Sequence, residues 1–266
     1  MIHNAIRNFG GKNGMFKQIM VYFPKVEEYN TYIEPFAGSY SLGLKLNPPP
    51  VNEIYNDMDN NLYSLYKVLS DDILFIQFKI KCDITPYSED FRTEFKTLLK
   101  DNNLSIVDRA FYYFYVNRTS HNGHGGLSIN LVPRRKMAKS VSDFLSSIDG
   151  LYELHQRLSK VIILNRDGTE LIKKYNQPNI FLYCDPPYHH STRTSARYPV
   201  DMSNEQQIEF LNTCINSKAK LLISGYACDE YKILEENGFS RIDFEVKTMG
   251  GDFKPKIKIE SIWKNY

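Results

Sequence analysis

Apolar runs and helix-like patterns alternate at both ends of the chain. Near the N-terminus, the order is strand-like TYIEPF, a helix start at GSYSLGLKL, strand-like VNEIYND, and helical periodicity over residues 60–69. The C-terminal half continues with VIILNRD, GTELIKKY, NIFLYCD, residues 204–217, AKLLISG and residues 229–237, and it ends on strand-like SRIDFEVKT and KIKIESIW. This alternation predicts an α/β fold, with a mostly parallel sheet covered by helices.

The segment 70–149 interrupts the alternation. It is helix-like up to Arg118, and a loop rich in Gly, Asn, His and Ser then runs to Val132. Its helical part contains the aromatic run FYYFY, most of whose rings are expected to pack in a core. We interpret the segment as an insertion into an α/β domain formed by residues 1–69 and 150–266.

Composition restricts the class of protein. With 266 residues, 42% of them apolar, the chain can form one large globular domain or a domain with an insertion. No apolar run reaches the ~18–20 residues that cross a bilayer, and the N-terminus lacks the apolar core of a signal peptide. The four cysteines are scattered and form no CxxC pair. We therefore expect a cytoplasmic protein with reduced thiols and no membrane partner.

Positive charge is concentrated in one stretch of the insertion. The chain has a net charge of +2, yet the stretch from Arg109 to Lys139 contains six Lys or Arg and no Asp or Glu. Within it, six positions just past the Gly-rich loop contain Arg134, Arg135, Lys136 and Lys139, and we expect no acid to neutralise them. Such a cluster either contacts phosphates or forms a solvated surface, and its position beside an aromatic run favours an anionic partner.

Three acids follow predicted strands, namely Glu34, Asp57 and Asp185. Ligands of open α/β sheets bind beyond the carboxyl ends of the strands. Gly38 permits a tight turn into a helix with unpaired N–H groups, and Asp57 comes about 20 residues later, where an acid can accept hydrogen bonds from ribose. The alternative is a set of ordinary turns with a capping acid. Neither P-loop nor dinucleotide-fingerprint spacing is present, which indicates a nucleoside-containing ligand without a pyrophosphate.

The sequence Asp185-Pro186-Pro187-Tyr188 ends the most apolar of these runs. Prolines lack an N–H group and have a fixed φ, so they stop strand pairing and hold the Pro186 carbonyl beside the Asp185 carboxylate. Two adjacent acceptors and the ring of Tyr188 suit a planar base with an exocyclic amino group. The alternative is a turn whose prolines only terminate the strand.

Two histidines, His189 and His190, come next in the chain. No third candidate ligand lies near them in the sequence. We expect both side chains to face solvent, and we predict no metal.

Three motifs together resemble the Dam-like DNA adenine-N6 methyltransferases. They are DPPY at Asp185 to Tyr188, EPFAGS at Glu34 to Ser39 and GGK at Gly10 to Lys12, in that family's order. The resemblance covers nearly the whole chain. It implies a Rossmann-like methyltransferase sheet with an inserted, mainly helical target-recognition domain at 70–149. It also implies methyl transfer from S-adenosylmethionine to N6 of an adenine flipped out of double-stranded DNA, in a bacterial or phage-infected cell, with a separately encoded restriction enzyme as a candidate partner.

The resemblance implies a role for each matching residue. The catalytic residues would be Asp185, Pro186, Pro187 and Tyr188. The cofactor would be bound by Asn8, Gly11, Lys12, Glu34, Phe36, Ala37, Gly38, Asp57, Asp167 and Asp185. DNA would be contacted by Arg118, His121, Asn122, Gly123, His124, Arg134, Arg135, Lys136 and Lys139.

Three positions depart from the family pattern. Asn8 stands where an aromatic residue is frequent, and Tyr40 replaces the second glycine of FxGxG. Gly126 aligns with the arginine by which Dam reads guanine in GATC, so GATC is not assumed as the target. Two alternatives remain open: an amino-methyltransferase acting on cytosine N4 or on RNA, and a DNA-binding module with a degenerate cofactor site.

Overall fold

The computed structural model describes residues 4–7, 15–123, 125–192, 200–249 and 255–266. The helices described there are α1 (Phe16–Met20), α2 (Asn60–Ser70), α3 (Asp72–Ile84), α4 (Glu89–Leu98), α5 (Ile106–Thr119), α6 (Lys139–Asp149), α7 (Leu151–Leu158), α8 (Gly168–Lys174), α9 (Asn204–Ile215) and α10 (Lys232–Glu236). The strands are β1 (Thr31–Glu34), β2 (Asn52–Asn56), β3 (Pro133–Arg134), β4 (Met137–Ala138), β5 (Ile162–Leu164), β6 (Ile180–Cys184), β7 (Lys220–Gly225), β8 (Ser240–Met249) and β9 (Pro255–Lys264). Among the described helices, none has the length and apolar character needed to cross a bilayer.

The chain divides into two compact units. Unit 1 comprises Met1–Phe16, Gly38–Asn47 and Asp59–Asn165, and unit 2 comprises Lys17–Ala37, Pro48–Met58 and Arg166–Tyr266.

Unit 1 consists mainly of helices α2 to α7, and local capping fixes where several of them begin. The side chains of Asp59, Asp71, Ser88 and Ser105 accept hydrogen bonds from backbone N–H groups in the first turns of α2 to α5. Each cap supplies a partner that the helix itself cannot provide at its N-terminus. Helix α5 packs against α2, α3 and α4, so it is the central helix of this unit.

The aromatic run of α5 forms core, as predicted. Phe111, Phe114 and Tyr115 are buried, and the Tyr115 hydroxyl donates to the Pro86 carbonyl at 2.7 Å. The hydroxyl thus has a partner at the rim of the core, as a buried tyrosine requires. This burial removes most of the run from consideration as a base-stacking surface.

Six strands of unit 2 lie side by side in the order β2-β1-β6-β7-β9-β8. The strands β2, β1, β6 and β7 are parallel, whereas β9 is antiparallel to both of its neighbours. Every side chain of β6 is buried, because this strand has neighbours on both sides and its residues are apolar. The mixed sheet and its alternation with helices confirm the predicted α/β, Rossmann-like fold.

The predicted helix after Gly38 is absent. Gly38 and Tyr40 adopt left-handed backbone conformations, with φ of 52° and 54°, and only a 3-10 turn at Gly43–Lys45 follows. The buried Tyr40 ring lies where a Cβ on Gly43 would be, 2.2 Å from the nearest ring atom. A bulky residue with positive φ interrupts helix propagation, which the amphipathic pattern of this segment did not reveal.

Candidate active site

The carboxyl ends of four parallel strands form one edge of the unit 2 sheet. The chain proceeds from β1 to β2 on one side and from β6 to β7 on the other, so the strand order reverses between β1 and β6. Glu34 ends β1, Asp185 directly follows β6, and Asp57 directly follows β2. The sequence therefore correctly placed three acids at the edge where open α/β sheets bind ligands.

Asp185 is oriented by a chain of hydrogen bonds within the sheet. The Ser224 hydroxyl donates to Asp185 Oδ1 at 2.9 Å, and the Tyr183 hydroxyl oxygen lies 2.9 Å from that of Ser224. Since the single proton of Ser224 is directed at Asp185, Tyr183 is the donor in this pair. Burial and the Asp185 charge raise the pKa of Tyr183 well above its ordinary value, which keeps its proton in place. One carboxylate oxygen of Asp185 is thereby fixed.

A residue of helix α9 binds the second of the two prolines that follow. Gln207, which is buried, donates from Nε2 to the Pro187 carbonyl at 2.6 Å. The Tyr231 hydroxyl in turn donates to Gln207 Oε1 at 3.3 Å. The Pro187 carbonyl therefore already accepts a hydrogen bond within the protein. Of the two proline carbonyls, that of Pro186 is the candidate acceptor for a substrate beside Asp185.

Tyr188 is fixed at both its hydroxyl and its ring. Its hydroxyl donates to Oε1 of the buried Glu260, on β9, at 2.6 Å. Its ring makes an edge-to-face contact with Tyr226, with centroids 5.0 Å apart. Burial and the charges of Asp185 and Glu260 raise the pKa of Tyr188 well above its ordinary value. The ring orientation is thus determined by residues that sequence reasoning did not identify.

Asn56 connects three segments next to Asp57. It is fully buried, its side-chain amide donates to the carbonyls of Pro35 and Arg166, and its Oδ1 accepts from the Arg166 N–H group. The Ala37 N–H group donates to the Asn56 carbonyl at 2.9 Å. These bonds position the half-buried Asp57 carboxylate relative to the segment after β1 and the start of α8.

Phe36 lies against the N-terminus of α8. A Cβ on Gly168 would be 2.5 Å from the Phe36 ring, so this close approach requires glycine. The Asp167 carboxylate caps the same helix, since Oδ1 accepts from the N–H groups of Thr169 at 2.8 Å and Glu170 at 3.0 Å. One oxygen of Asp167 therefore caps the helix, and a contact of this residue with a cofactor stays a prediction.

Comparison with known families identifies the protein. The family model of D12 class N6 adenine-specific DNA methyltransferases matches residues 9–249. The chain belongs to this family. The predicted enzyme class and site-specific adenine-N6 methylation of DNA are confirmed, and the family implies S-adenosylmethionine as the methyl donor.

Three curated relatives of this methyltransferase are type II methyltransferases. M.CviBI of Paramecium bursaria Chlorella virus NC1A is 24% identical over 247 residues, which are 90% of this chain and 88% of the relative. M.MjaIII of Methanocaldococcus jannaschii is 27% identical over 256 residues, 87% of this chain and 86% of the relative. M1.LlaDCHI of Lactococcus lactis subsp. cremoris is 23% identical over 203 residues, 70% of this chain and 66% of the relative.

Several predicted site residues of the methyltransferase lie outside the described residues. They are Asn8, Gly11, Lys12 and His124. Their predicted roles stay predictions.

In unit 1, the end of α5 is tied to residues 4–7. Arg7 N–H donates to Asn117 Oδ1 at 2.8 Å, and Asn117 Nδ2 donates to the Arg7 carbonyl at 2.9 Å. Arg118 donates to the backbone carbonyls of Ala5, at 2.6 Å, and of Asn4. Burial, together with the Arg7 charge, lowers the pKa of Arg118 to about 10, so it stays protonated near neutral pH. Its guanidinium thus positions backbone here, and the predicted DNA contact of Arg118 stays a prediction.

Hydrogen bonds within unit 1 hold the loop that is predicted to contact DNA bases. Its first turn, His121–Gly123, is a 3-10 helix. Gly123 has a φ of 84°, and a Cβ there would lie 2.4 Å from the Arg7 carbonyl oxygen. The buried Arg92 of α4 donates to Ser120 Oγ and to the Gly125 carbonyl. Arg92 was missed by sequence analysis because nothing local marks it as a partner of a loop about 30 residues away.

The basic cluster forms a hairpin, and part of its charge is neutralised. Strands β3 and β4 pair antiparallel, and Arg135 and Lys136 connect them with φ of 52° and 60°. Arg134 pairs with Asp143, and Lys139 Nζ lies 2.6 Å from Asp143 Oδ2. The expectation that no acid neutralises the cluster was wrong, because Asp143 lies one helical turn after Lys139, beyond the acid-free stretch.

The two histidines after the DPPY sequence differ in burial. His190 is exposed as predicted, with Nε2 3.0 Å from the Met202 carbonyl. His189 is buried, contrary to the prediction, and its Nδ1 lies 2.8 Å from Ser191 Oγ. The polar character of the loop did not reveal this burial. One neighbour of the ring is distant in the sequence, since Glu230 Oε1 is 3.8 Å from His189 Nε2.

Proposed function

We propose that this methyltransferase transfers the methyl group of S-adenosylmethionine directly to N6 of an adenine flipped out of double-stranded DNA. Asp185, Pro186 and Tyr188 receive the base. The observation that carries the proposal is the hydrogen-bond chain from Tyr183 through Ser224 to Asp185, with separations of 2.9 Å and 2.9 Å. It holds one carboxylate oxygen at the edge of the sheet, immediately before the two prolines.

The arrangement activates a poor nucleophile. The lone pair of an adenine amino group is delocalised into the ring. When the Asp185 carboxylate and the Pro186 carbonyl each accept one N6 proton, they favour a localised lone pair and orient it. The protein contributes positioning and electrostatics rather than a covalent intermediate. Because the amino group lies inside a duplex, the base must be flipped out, at a cost of a few kcal/mol.

The charge of the sheet edge supports the proposed cofactor. Glu34, Asp57 and Asp185 bring three carboxyl groups to the edge in unit 2, where a sulfonium cation is electrostatically favoured and a pyrophosphate disfavoured. Asp57 would hold ribose hydroxyls, and the half-exposed Phe36 ring would contact the methionine portion. When bound, S-adenosylmethionine supplies an electrophilic methyl group. The residues present therefore fit this cofactor.

The alternatives are separated by the product. Purified protein should convert adenine in duplex DNA to N6-methyladenine, detected by mass spectrometry of the digested nucleosides. N4-methylcytosine, or methylation of RNA alone, would support an amino-methyltransferase of another specificity. Cofactor binding that calorimetry cannot detect would support a DNA-binding module with a degenerate cofactor site. A separately encoded restriction enzyme stays a predicted partner.

Asp57→Ala is expected to weaken S-adenosylmethionine binding. Hydrogen bonds to a charged group contribute ~1.5–3 kcal/mol, so the Kd should rise ~10- to 150-fold. Calorimetric titration of the cofactor measures this change. Asp90→Ala removes an exposed acid from α4 and serves as the control for loss of one negative charge. An unchanged Kd for Asp57→Ala would reduce this residue to a structural acid at the end of β2.

We assign target recognition to the segment 70–149. The turn at His121–Gly123 and the hairpin tip at Arg135 and Lys136 are its proposed DNA contacts. Positive φ at both residues is the geometry of a two-residue hairpin turn, whose usual residues are Asn, Asp and Gly, whereas this turn has two cations. Lys136 has no acid within ion-pair distance among the described residues, and Arg135 has only the exposed Asp149, at 3.9 Å. The tip therefore has charge available for phosphates.

Removal of both tip charges is expected to change the salt dependence of DNA binding. If Arg135 and Lys136 each neutralise one phosphate, their double replacement by alanine should flatten the slope of log K against log salt by ~1.8. It should weaken binding to target and scrambled duplexes alike. His121→Ala should instead alter which sequence is methylated. DNA affinity across a salt series measures the slope, with alanine at both Lys96 and Lys100, exposed cations of the α4 region, as the charge-matched control. A slope equal to that of the unmodified enzyme would leave the tip as solvated surface.

A further inference from the structure

Three side chains of types that bind metals converge in unit 2, beside the residues assigned to methyl transfer. The ligand atoms of His189, Cys228 and Glu230 all lie within 4.8 Å of one another. Nε2 of His189 is 3.8 Å from Glu230 Oε1. Two of the residues belong to the segment after β7, whereas His189 directly follows Tyr188. The sequence separates the histidine from the other two by about 40 residues, so only the fold brings them together.

The donor set selects the kind of metal. Thiolate, imidazole and carboxylate ligands suit zinc, whereas calcium and magnesium prefer oxygen ligands alone. Zn–ligand bonds of ~2.0–2.3 Å in tetrahedral geometry place ligand atoms about 3.3–3.8 Å apart. A nitrogen and an oxygen ligand should lie ~3.3–3.5 Å apart, so His189 Nε2 and Glu230 Oε1, which are 3.8 Å apart, need to approach by only a few tenths of an ångström. Three protein ligands leave a fourth position for water or another donor.

The surroundings of the three side chains suit a metal site. The Nδ1 atom of His189 lies 2.8 Å from Ser191 Oγ, and a partner on the second ring nitrogen commonly orients a metal-bound histidine. His189 is buried, Cys228 is half-buried and Glu230 is exposed. The site is thus partly enclosed and still reachable from solvent through Glu230.

The geometry points to a zinc site formed by His189, Cys228 and Glu230. A zinc ion at this site links the residue after Tyr188 to the segment that follows β7, because it binds side chains of both. The same two segments carry Tyr188 and Tyr226, whose rings are in edge-to-face contact. Zinc binding therefore restricts the relative motion of these two rings. The zinc site is separate from Asp185 and Pro186.

The competing interpretation is a simple ion pair. In that case the Glu230 carboxylate attracts the His189 ring and accepts a hydrogen bond from the Cys228 thiol, without a metal. An ion pair needs no thiolate, whereas zinc or its cobalt substitute would bind the thiolate directly. The contribution of Cys228 to metal binding therefore distinguishes the two interpretations.

The test is metal binding by the full-length protein after removal of metals with a chelator. Cobalt(II) should produce the intense near-ultraviolet absorption of a thiolate–metal bond, and zinc should displace it, with one ion bound per chain. Cys228→Ser should abolish this band. Glu230→Gln and His189→Gln should each weaken zinc binding by at least about 100-fold, since loss of an outer partner alone costs about 10- to 100-fold. Ser191→Ala, which removes such a partner, should fall in that smaller range.

The neighbouring His190→Gln is the matched control and should bind zinc like the unmodified protein. Thermal unfolding without metal verifies that each variant is folded, and zinc should raise the Tm only where all three ligands are present. Since Glu230 is exposed, Glu230→Gln tests the site even if a variant at the buried His189 does not fold. A cobalt spectrum without a thiolate band, or equal zinc affinity in Glu230→Gln and His190→Gln, would overturn the proposal.

Discussion

Asp185→Ala is expected to lower the rate of methyl transfer by about 10²- to 10³-fold, as for the loss of one preorganised polar group that acts on the reacting atoms. The variant loses one of the two acceptors proposed for the adenine amino group. Its fold should persist, because Asp185 is only half-buried and lies after the end of β6. The two prolines and the bond from Gln207 to the Pro187 carbonyl still shape the turn.

Single-turnover methylation at saturating cofactor and DNA isolates this effect from binding. Cofactor affinity should be measured separately, since Asp185 lies at the same sheet edge as Glu34 and Asp57. Asp185→Asn keeps one carbonyl oxygen, to which the Ser224 hydroxyl can still donate, and should retain more activity than the alanine variant. A single-turnover rate for Asp185→Ala close to that of the unmodified enzyme would falsify the catalytic assignment.

Ser224→Ala provides a graded control for orientation. It leaves the Asp185 carboxylate in place and removes the bond that fixes Oδ1 at 2.9 Å. Its rate should therefore fall between those of the unmodified enzyme and Asp185→Ala. Tyr183→Phe, one bond further along the chain, should have a smaller effect than Ser224→Ala. A purely structural role for these residues would change stability without this ordering of rates.

The sheet and its catalytic edge could be predicted because their signals are local. The apolar run from Ile180 to Cys184 marks a buried strand, and the acids that follow three such strands necessarily reach one edge in a parallel sheet. The failure at Gly38 is also local, but its cause is the conformation of Tyr40. A helix-like pattern cannot show that a bulky residue has positive φ.

The partners of the catalytic residues could not be predicted because they are distant in the sequence. Ser224 is 39 residues from Asp185, and Glu260 is 72 residues from Tyr188. Only strand order brings them together, since β7 lies beside β6 and β9 lies beside β7. Arg118 is a further case, because the resemblance could not show that its guanidinium binds the backbone carbonyls of Ala5 and Asn4. Its DNA contact stays a prediction.

Variants at Tyr188 and Glu260 should distinguish the contribution of base stacking to the methylation rate from the contribution of the Tyr188 hydroxyl to stability. Sequence alone suggests that Tyr188→Phe is mild, since the π-face is retained. In the structure the hydroxyl donates to the buried Glu260 carboxylate at 2.6 Å. Loss of a donor to a buried acceptor costs about 1–3 kcal/mol, which corresponds to a Tm lower by roughly 2–4 °C per kcal/mol in a chain of this size. We therefore expect Tyr188→Phe to be less stable yet to methylate at nearly the normal rate while folded.

Tyr188→Ala is expected to have both defects. It loses the same hydroxyl and also the ring on which the flipped base would stack, a contact of ~1–3 kcal/mol. Its kcat/KM should fall ~5- to 150-fold at a temperature where the protein remains folded, which Tyr188→Phe should not show. Glu260→Gln combined with Tyr188→Phe should recover part of the lost stability, because a neutral amide is less costly to bury than a carboxylate. Thermal unfolding and single-turnover rates should be measured on the unmodified enzyme, the two single Tyr188 variants and the double variant. Equal rate losses in Tyr188→Phe and Tyr188→Ala would show that the hydroxyl rather than the ring acts on the base.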